Sequence, residues 1–136
     1  MKGRIMKLTV LDGEFTVWKL PPGERIPQRP ENRERFWSVT CTREEISVIS
    51  SPEDVPENAE AEPGWKILEV EGPLDFSMTG VLASLVSPLA EYGIPIFVAS
   101  TFDTDYLLIA FENLPDTISA LEDSGHHVES LPPGTV

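Results

Sequence analysis

The chain has 136 residues, 40% of them hydrophobic, a single cysteine and a formal net charge of −13. This length suits one domain or two very small ones, with enough apolar side chain to build a core, which excludes a disordered tail. There is no run of about 18 apolar residues, so no membrane-spanning helix is predicted, and Cys41, standing alone, forms no disulfide within the chain. The opening "MKGRIMKLTVLDGE" turns charged too early for a secretory leader, and with one cysteine it fits a reducing, cytoplasmic setting.

Charge is unevenly spread. All ten Lys and Arg lie at or before Lys66, while residues 67–136 carry eleven acids and no base. A surface of that kind repels phosphate, so neither nucleic acid nor anionic lipid is an expected partner. Solubility alone accounts for much of this acidity. An anionic ligand group bound there must be held by backbone N–H groups or hydroxyls.

In chain order, "KLTVLDGEFTVWKL" holds two apolar runs about Asp12-Gly13, which predicts a hairpin. "PPGERIPQRPENRER" is too rich in proline for a helix interior and reads as an exposed loop. "RFWSVTC" and "EISVISS" flank "TREE" as a second hairpin. The acidic, proline-containing 52–64 reads as a linker with one helical turn, and the domain boundary is set there: 1–64, then 65–136.

The second half is more regular. "WKILEVEG" predicts a strand. From Thr79 to Tyr92, Val81, Leu82, Leu85, Val86 and Leu89 follow helical spacing, with Asp75, Ser77 and Thr79 as N-cap candidates and Gly93 as the stop. Pro88 removes the bond to the Ser84 carbonyl and predicts a kink. The strand "IPIFVAS", the turn "STFDTD", the strand "YLLIAF", a helix over "LPDTISALEDSG" and a last strand "HHVES" complete the order. This is βαββαβ, the ferredoxin-like α+β arrangement, with an antiparallel sheet and both helices on one face. "YLLIAF" is apolar on both alternating faces, so its second face must also be covered, by the first half or another copy.

A free amino acid needs an anion site, acceptors for its ammonium group and a wall for its side chain. The helix start at Gly80-Val81-Leu82 offers unpaired N–H groups and a positive dipole end, and Gly80 permits close approach. Asp75 and the "STFDTD" carbonyls can accept from ammonium, Asp103 or Asp105 can meet a cationic group, and Phe102 can form the wall. The same residues read equally as ordinary caps, a packing glycine and an Asx-bonded turn. His126 and His127 are adjacent in a strand and point to opposite faces, so no metal site is expected. No phosphate loop is present, and no cofactor is predicted.

The segment "FSMTGVLASLVSPLAEYGIPIFVASTFDTDYLLI" resembles the ACT domain. It is most similar to the branch of small bacterial ACT proteins related to CASTOR-type cytosolic arginine sensors and aspartate kinase regulatory domains. The resemblance is strong over 65–128, carried above all by "SPLAEYGIPIFVASTFDTDYLLI". The first half resembles a degenerate ACT-like unit whose first helix is replaced by the Pro-rich loop. What the resemblance implies is a non-enzymatic regulatory or sensor protein that holds an amino acid at an interface between ACT units, in a homodimer, and acts on a partner protein. It puts ligand contacts at Asp75 to Leu82, which includes Thr79, and at Ser100 to Asp105. Within these, Thr101, Phe102 and Asp105 match the sensors' pattern, with Ser84 and Leu85 supplied by the partner copy. This chain departs in having Asp103 as an extra acid, and in having Ser77 or Met78 where the sensors carry an acid, which argues against carrying arginine over. The alternative is a module that only oligomerises or docks on a partner. An enzyme on this fold is disfavoured: residues 67–136 lack the Arg that phosphate chemistry needs, and the pair Asp103 and Asp105 has no nucleophile beside it.

Overall fold

The computed structural model describes residues 5–31, 35–74 and 79–130. Backbone contacts divide the chain into two compact units: one takes the residues up to Asp12 and from Lys66 onward, the other Gly13–Trp65.

The larger unit contains β1 (Lys7–Val10), the second half of β5 (Glu60–Val70), α1 (Val81–Glu91), β6 (Phe97–Ser100), β7 (Asp105–Ala110), α2 (Leu114–Asp123) and β8 (His127–Ser130). From β5 onward the order is βαββαβ, the expected α+β fold. β7 lies between β5 and β6, pairing β6 antiparallel from Phe97↔Leu108 to Ser100↔Asp105. Alternate strand positions (Leu8 and Val10, Leu68 and Val70, Leu107 and Ile109) share one apolar cluster with Val81, Leu85 and Leu89 of α1 and with Ala120 and Leu121 of α2. Both helices therefore cover the same face, as period-2 strands and period-3.6 helices require. Ile67 and Leu108, at intervening positions, are also fully buried, in keeping with the two-faced apolar pattern of "YLLIAF".

One strand was assigned the wrong neighbour. The predicted hairpin about Asp12-Gly13 does not form: β1 pairs β5 antiparallel, Leu8 opposite Val70, and β8 in parallel, Lys7 opposite His127. Gly13 does take the positive φ of a turn, 87°. A turn signal reports the backbone angle at one residue, however, and says nothing about whether the flanking strands find each other. The sheet is therefore not wholly antiparallel. β8 still runs opposite to β5, and the parallel pair arises because β1 is inserted between them.

The smaller unit is an antiparallel sheet of β2 (Phe15–Leu20), β3 (Ser38–Cys41), β4 (Ile46–Ser50) and the leading half of β5, in the order β3-β4-β2-β5. The predicted hairpin about "TREE" forms between β3 and β4, with Thr42 Oγ1 accepting the N–H groups of Glu44 and Glu45. β2 pairs both β4 and the start of β5. Trp18, Leu20, Ile46 and Val48 form its core, and Trp18 Nε1 donates to Ser50 Oγ at 2.8 Å, which removes the cost of burying an indole N–H. The expected helical turn in 52–64 is the 3-10 turn Pro52–Asp54. Residues from Glu60 on, expected as linker, are instead strand. A bulge at Pro63-Gly64 lies opposite Thr16, between the pairs Phe15↔Trp65 and Val17↔Glu62, where a residue without an N–H and one at φ 85° interrupt the ladder.

Candidate functional site

The turn between β6 and β7 is fixed locally before it is fixed by packing. Thr101 N–H donates to Thr104 O at 2.8 Å, and Ser100 Oγ donates to Asp105 Oδ1 at 2.6 Å across the register pair that closes the turn. Thr104, 7% exposed, turns its hydroxyl inward to donate to Val70 O at 2.6 Å. Leu74 N–H donates to Asp103 O at 2.6 Å. These two bonds draw residues 70–74 against the turn, and Gly72 is what lets them approach. A Cβ there would lie 3.0 Å from Asp103 O and 3.1 Å from Thr104 Cβ, closer than backbone and a buried side chain tolerate.

α1, Val81–Glu91, starts two residues later and ends one residue earlier than the predicted span from Thr79 to Tyr92. Its N-cap is Gly80 at φ 77°, ψ 0°, with no side-chain cap bond, so Thr79 is not the cap. Asp75, Ser77 and Met78 lie outside the described residues. An added Cβ at Gly80 would meet none of the described residues within 4 Å; the positive φ accounts for the glycine. The first rung of the helix is Ser84 N–H to Gly80 O at 2.9 Å, which leaves the N–H groups of Val81, Leu82 and Ala83 without acceptors inside the helix.

The helix start and the turn line one open pocket of about 360 Å³, formed by Leu74, residues 80–83 and residues 100–105. Of the predicted site residues, Gly80, Val81, Leu82, Thr101, Phe102, Asp103 and Asp105 are brought together there. Phe102 is 80% and Leu82 39% exposed. Leu74 and Ala83 were not predicted. They are the next neighbours on each wall, and nothing in their residue type signals a site. Three further predicted residues, Leu85, Ser84 and Thr79, are not part of its lining. Leu85 is fully buried in the core, because its helical period carries it to the sheet side of α1, so its side chain cannot reach a ligand from a partner copy. Ser84 Oγ donates to Val81 O at 2.7 Å, a bond within the helix. Thr79 is exposed beside the helix start.

The described lining carries two carboxylates, Asp103 and Asp105, and no cationic side chain. Tyr106, next along β7, donates its hydroxyl to Glu69 Oε2 at 3.2 Å. Burial first, and the Glu69 charge second, push its phenol above the usual value, with a smaller contribution from Asp103. Chemically the arrangement sets amides that have no acceptor within their helix across from acceptors on a hydrogen-bonded turn. No group of three or more potential metal ligands occurs among the described residues, and His126 is buried where His127 is exposed.

Residues 60–123, from the start of β5 to the end of α2, match the ACT domain family model. The chain belongs to the ACT domain family. A solved structure of a protein from Agrobacterium tumefaciens is 32% identical, with 98% of each chain covered and a TM-score of 0.86, so this ACT protein shares its whole architecture with that one. It is also similar to the cytosolic arginine sensor for mTORC1 subunit 1 of Bos taurus, 28% identical over 107 residues. That match takes in 71% of this chain and only 32% of the sensor, so the chain spans about a third of that relative's length. The regulatory subunit of aspartate kinase from Thermus thermophilus, in its ligand-free form, is 14% identical with a TM-score of 0.60 over 92% of this chain and 99% of that one. At that identity the likeness shows the ACT fold alone. No helix among the described residues is long and apolar enough to cross a membrane.

Proposed function

We propose that this ACT protein is a non-enzymatic, cytoplasmic amino-acid sensor whose ligand occupies the pocket between the start of α1 and the β6–β7 turn. The observation that carries the reading is the convergence in one pocket of helix-start amides and two acids with no cationic side chain. The ligand carboxylate docks on the N–H groups of Val81 to Ala83, where the helix dipole favours negative charge. Its ammonium group meets Asp103, Asp105 and the turn carbonyls, and Phe102 forms the wall for its side chain. The family membership and the sensor among its relatives support the same reading. Leu82 and Phe102, two large apolar side chains exposed at the pocket, are suited to being covered by a second copy, so a homodimer closes the site. Ligand occupancy then changes how the dimer meets a partner protein.

A thermal-shift screen of ligand-stripped protein against the twenty protein amino acids tests this. At least one should stabilise the fold, by about 2.7 kcal/mol at about 100 times its Kd. Phe102→Ala and Asp103→Asn, both at exposed positions, should shrink that shift while leaving the ligand-free midpoint nearly unchanged. A flat screen at millimolar amino acid contradicts the proposal and leaves the fold as an oligomerisation or docking module.

A further inference from the structure

Pro88 lies inside α1 and has no N–H for the carbonyl of Ser84, four residues earlier. α1 nevertheless continues through it as one helix from Val81 to Glu91. The reason lies in the side chain of His126, whose Nε2 is 2.9 Å from Ser84 O. Its other ring nitrogen, Nδ1, accepts the main-chain N–H of Met6 at 3.0 Å. A main-chain amide can only donate, so Nδ1 is the bare nitrogen and Nε2 carries the proton that Ser84 O accepts. The ring is 5% exposed, so little water reaches these bonds.

Ser84 passes this restraint on. Its N–H holds Gly80 O at 2.9 Å, and its hydroxyl holds Val81 O at 2.7 Å. Gly80 and Val81 are pocket residues. We infer that His126 is a positioning residue for the pocket: it replaces the helical donor that Pro88 lacks and, through Ser84, fixes the direction of the amides at the start of α1. The inference rests on the amino-acid reading of that pocket. It also explains Ser84, which belongs to the site as a strut behind the wall. Without the imidazole, Ser84 O loses the donor that stands in for the missing Pro88 N–H, and the first two turns of α1 lose the restraint that preorganises them.

NMR of isotope-labelled full-length protein tests this, with an equimolar mixture of the twenty protein amino acids as the probe. The wild-type His126 ring should be protonated at Nε2 and bare at Nδ1. In His126→Phe the probe concentration that half-shifts the Gly80–Ala83 amides should rise about tenfold. Adding Pro88→Ala, which restores a main-chain donor to Ser84 O, should bring it back to within about threefold of wild type. A proton on Nδ1, an unmoved midpoint in His126→Phe or no recovery in the double variant overturns the inference. If the wild-type amides ignore the probe, the amino-acid reading fails. The strut is then judged by ring tautomer and by whether Pro88→Ala restores the stability that His126→Phe loses. If His126→Phe alone does not fold, a folded double variant supports the inference and an unfolded one overturns it.

Discussion

At Gly80 the backbone takes φ 77° and an added Cβ would meet none of the described residues within 4 Å, whereas at Gly72 a Cβ would press on Asp103 O and Thr104 Cβ. Gly80→Ala should therefore cost about 1–2 kcal/mol, through the left-handed backbone alone. Gly72→Ala should cost about 1–3 kcal/mol through overpacking, and should also displace the turn that holds Asp103 and Asp105. Denaturant titration measures both costs, and only the second variant should shift the Thr101–Asp105 amide resonances strongly. The sequence marks both residues as glycine, but it cannot distinguish a glycine needed for its φ from one needed for the absence of a Cβ. Tyr106 gives a residue-scale test in alkali. Its phenol value is raised above 10.0 by burial and by Glu69, so the folded state holds its proton more tightly than the unfolded chain. The sign follows: this contribution is fully present below the unfolded value and is lost as pH rises through the folded one. The thermal midpoint should fall above about pH 10, and Tyr106→Phe should flatten part of that fall. Lys7, raised by its bond to Glu129, accounts for some of the remainder.

Among the elements, those with a strong internal period were legible. The five apolar positions of α1 mark a helix by their spacing, and the short apolar runs of β6 and β7, bounded by turn signals, mark strands. What could not be read was which unit β1 joins, because "KLTV" alternates equally well beside any strand. Its place between β5 and β8 is decided by packing of Leu8 and Val10 into the cluster of the larger unit. Leu8→Ala should then destabilise that unit by about 2–5 kcal/mol. Hydrogen exchange should report the loss in β7 and α1 rather than in β2 and β4; the reverse pattern contradicts the assignment. The helix through Pro88 was legible from its apolar spacing, whereas what replaces the missing donor was not. Its compensating donor, His126, lies 42 residues away from Ser84, and no local rule connects them.

For the molecule as a whole, the division of charge is what the sequence displays most clearly and what constrains function most. With eleven acids and no base after Lys66, and no cationic side chain in the described pocket lining, an anionic group bound there is met by backbone N–H groups or hydroxyls. α1 begins beside a pocket with three amides that have no acceptor within the helix. Seven of the eleven predicted site residues reach that pocket. Of the other four, Leu85 lies in the core, Ser84 is tied within its own helix and Thr79 is exposed beside the pocket, while Asp75 lies outside the described residues. The central claim is that a free amino acid bridges the start of α1 and the β6–β7 turn. Its most direct test is the amide spectrum of ligand-stripped protein during addition of the strongest stabiliser from the screen. The account predicts that Val81–Ala83 and Thr101–Asp105 shift together with one saturation midpoint. Unchanged resonances, or shifts confined to other parts of the chain, would contradict it.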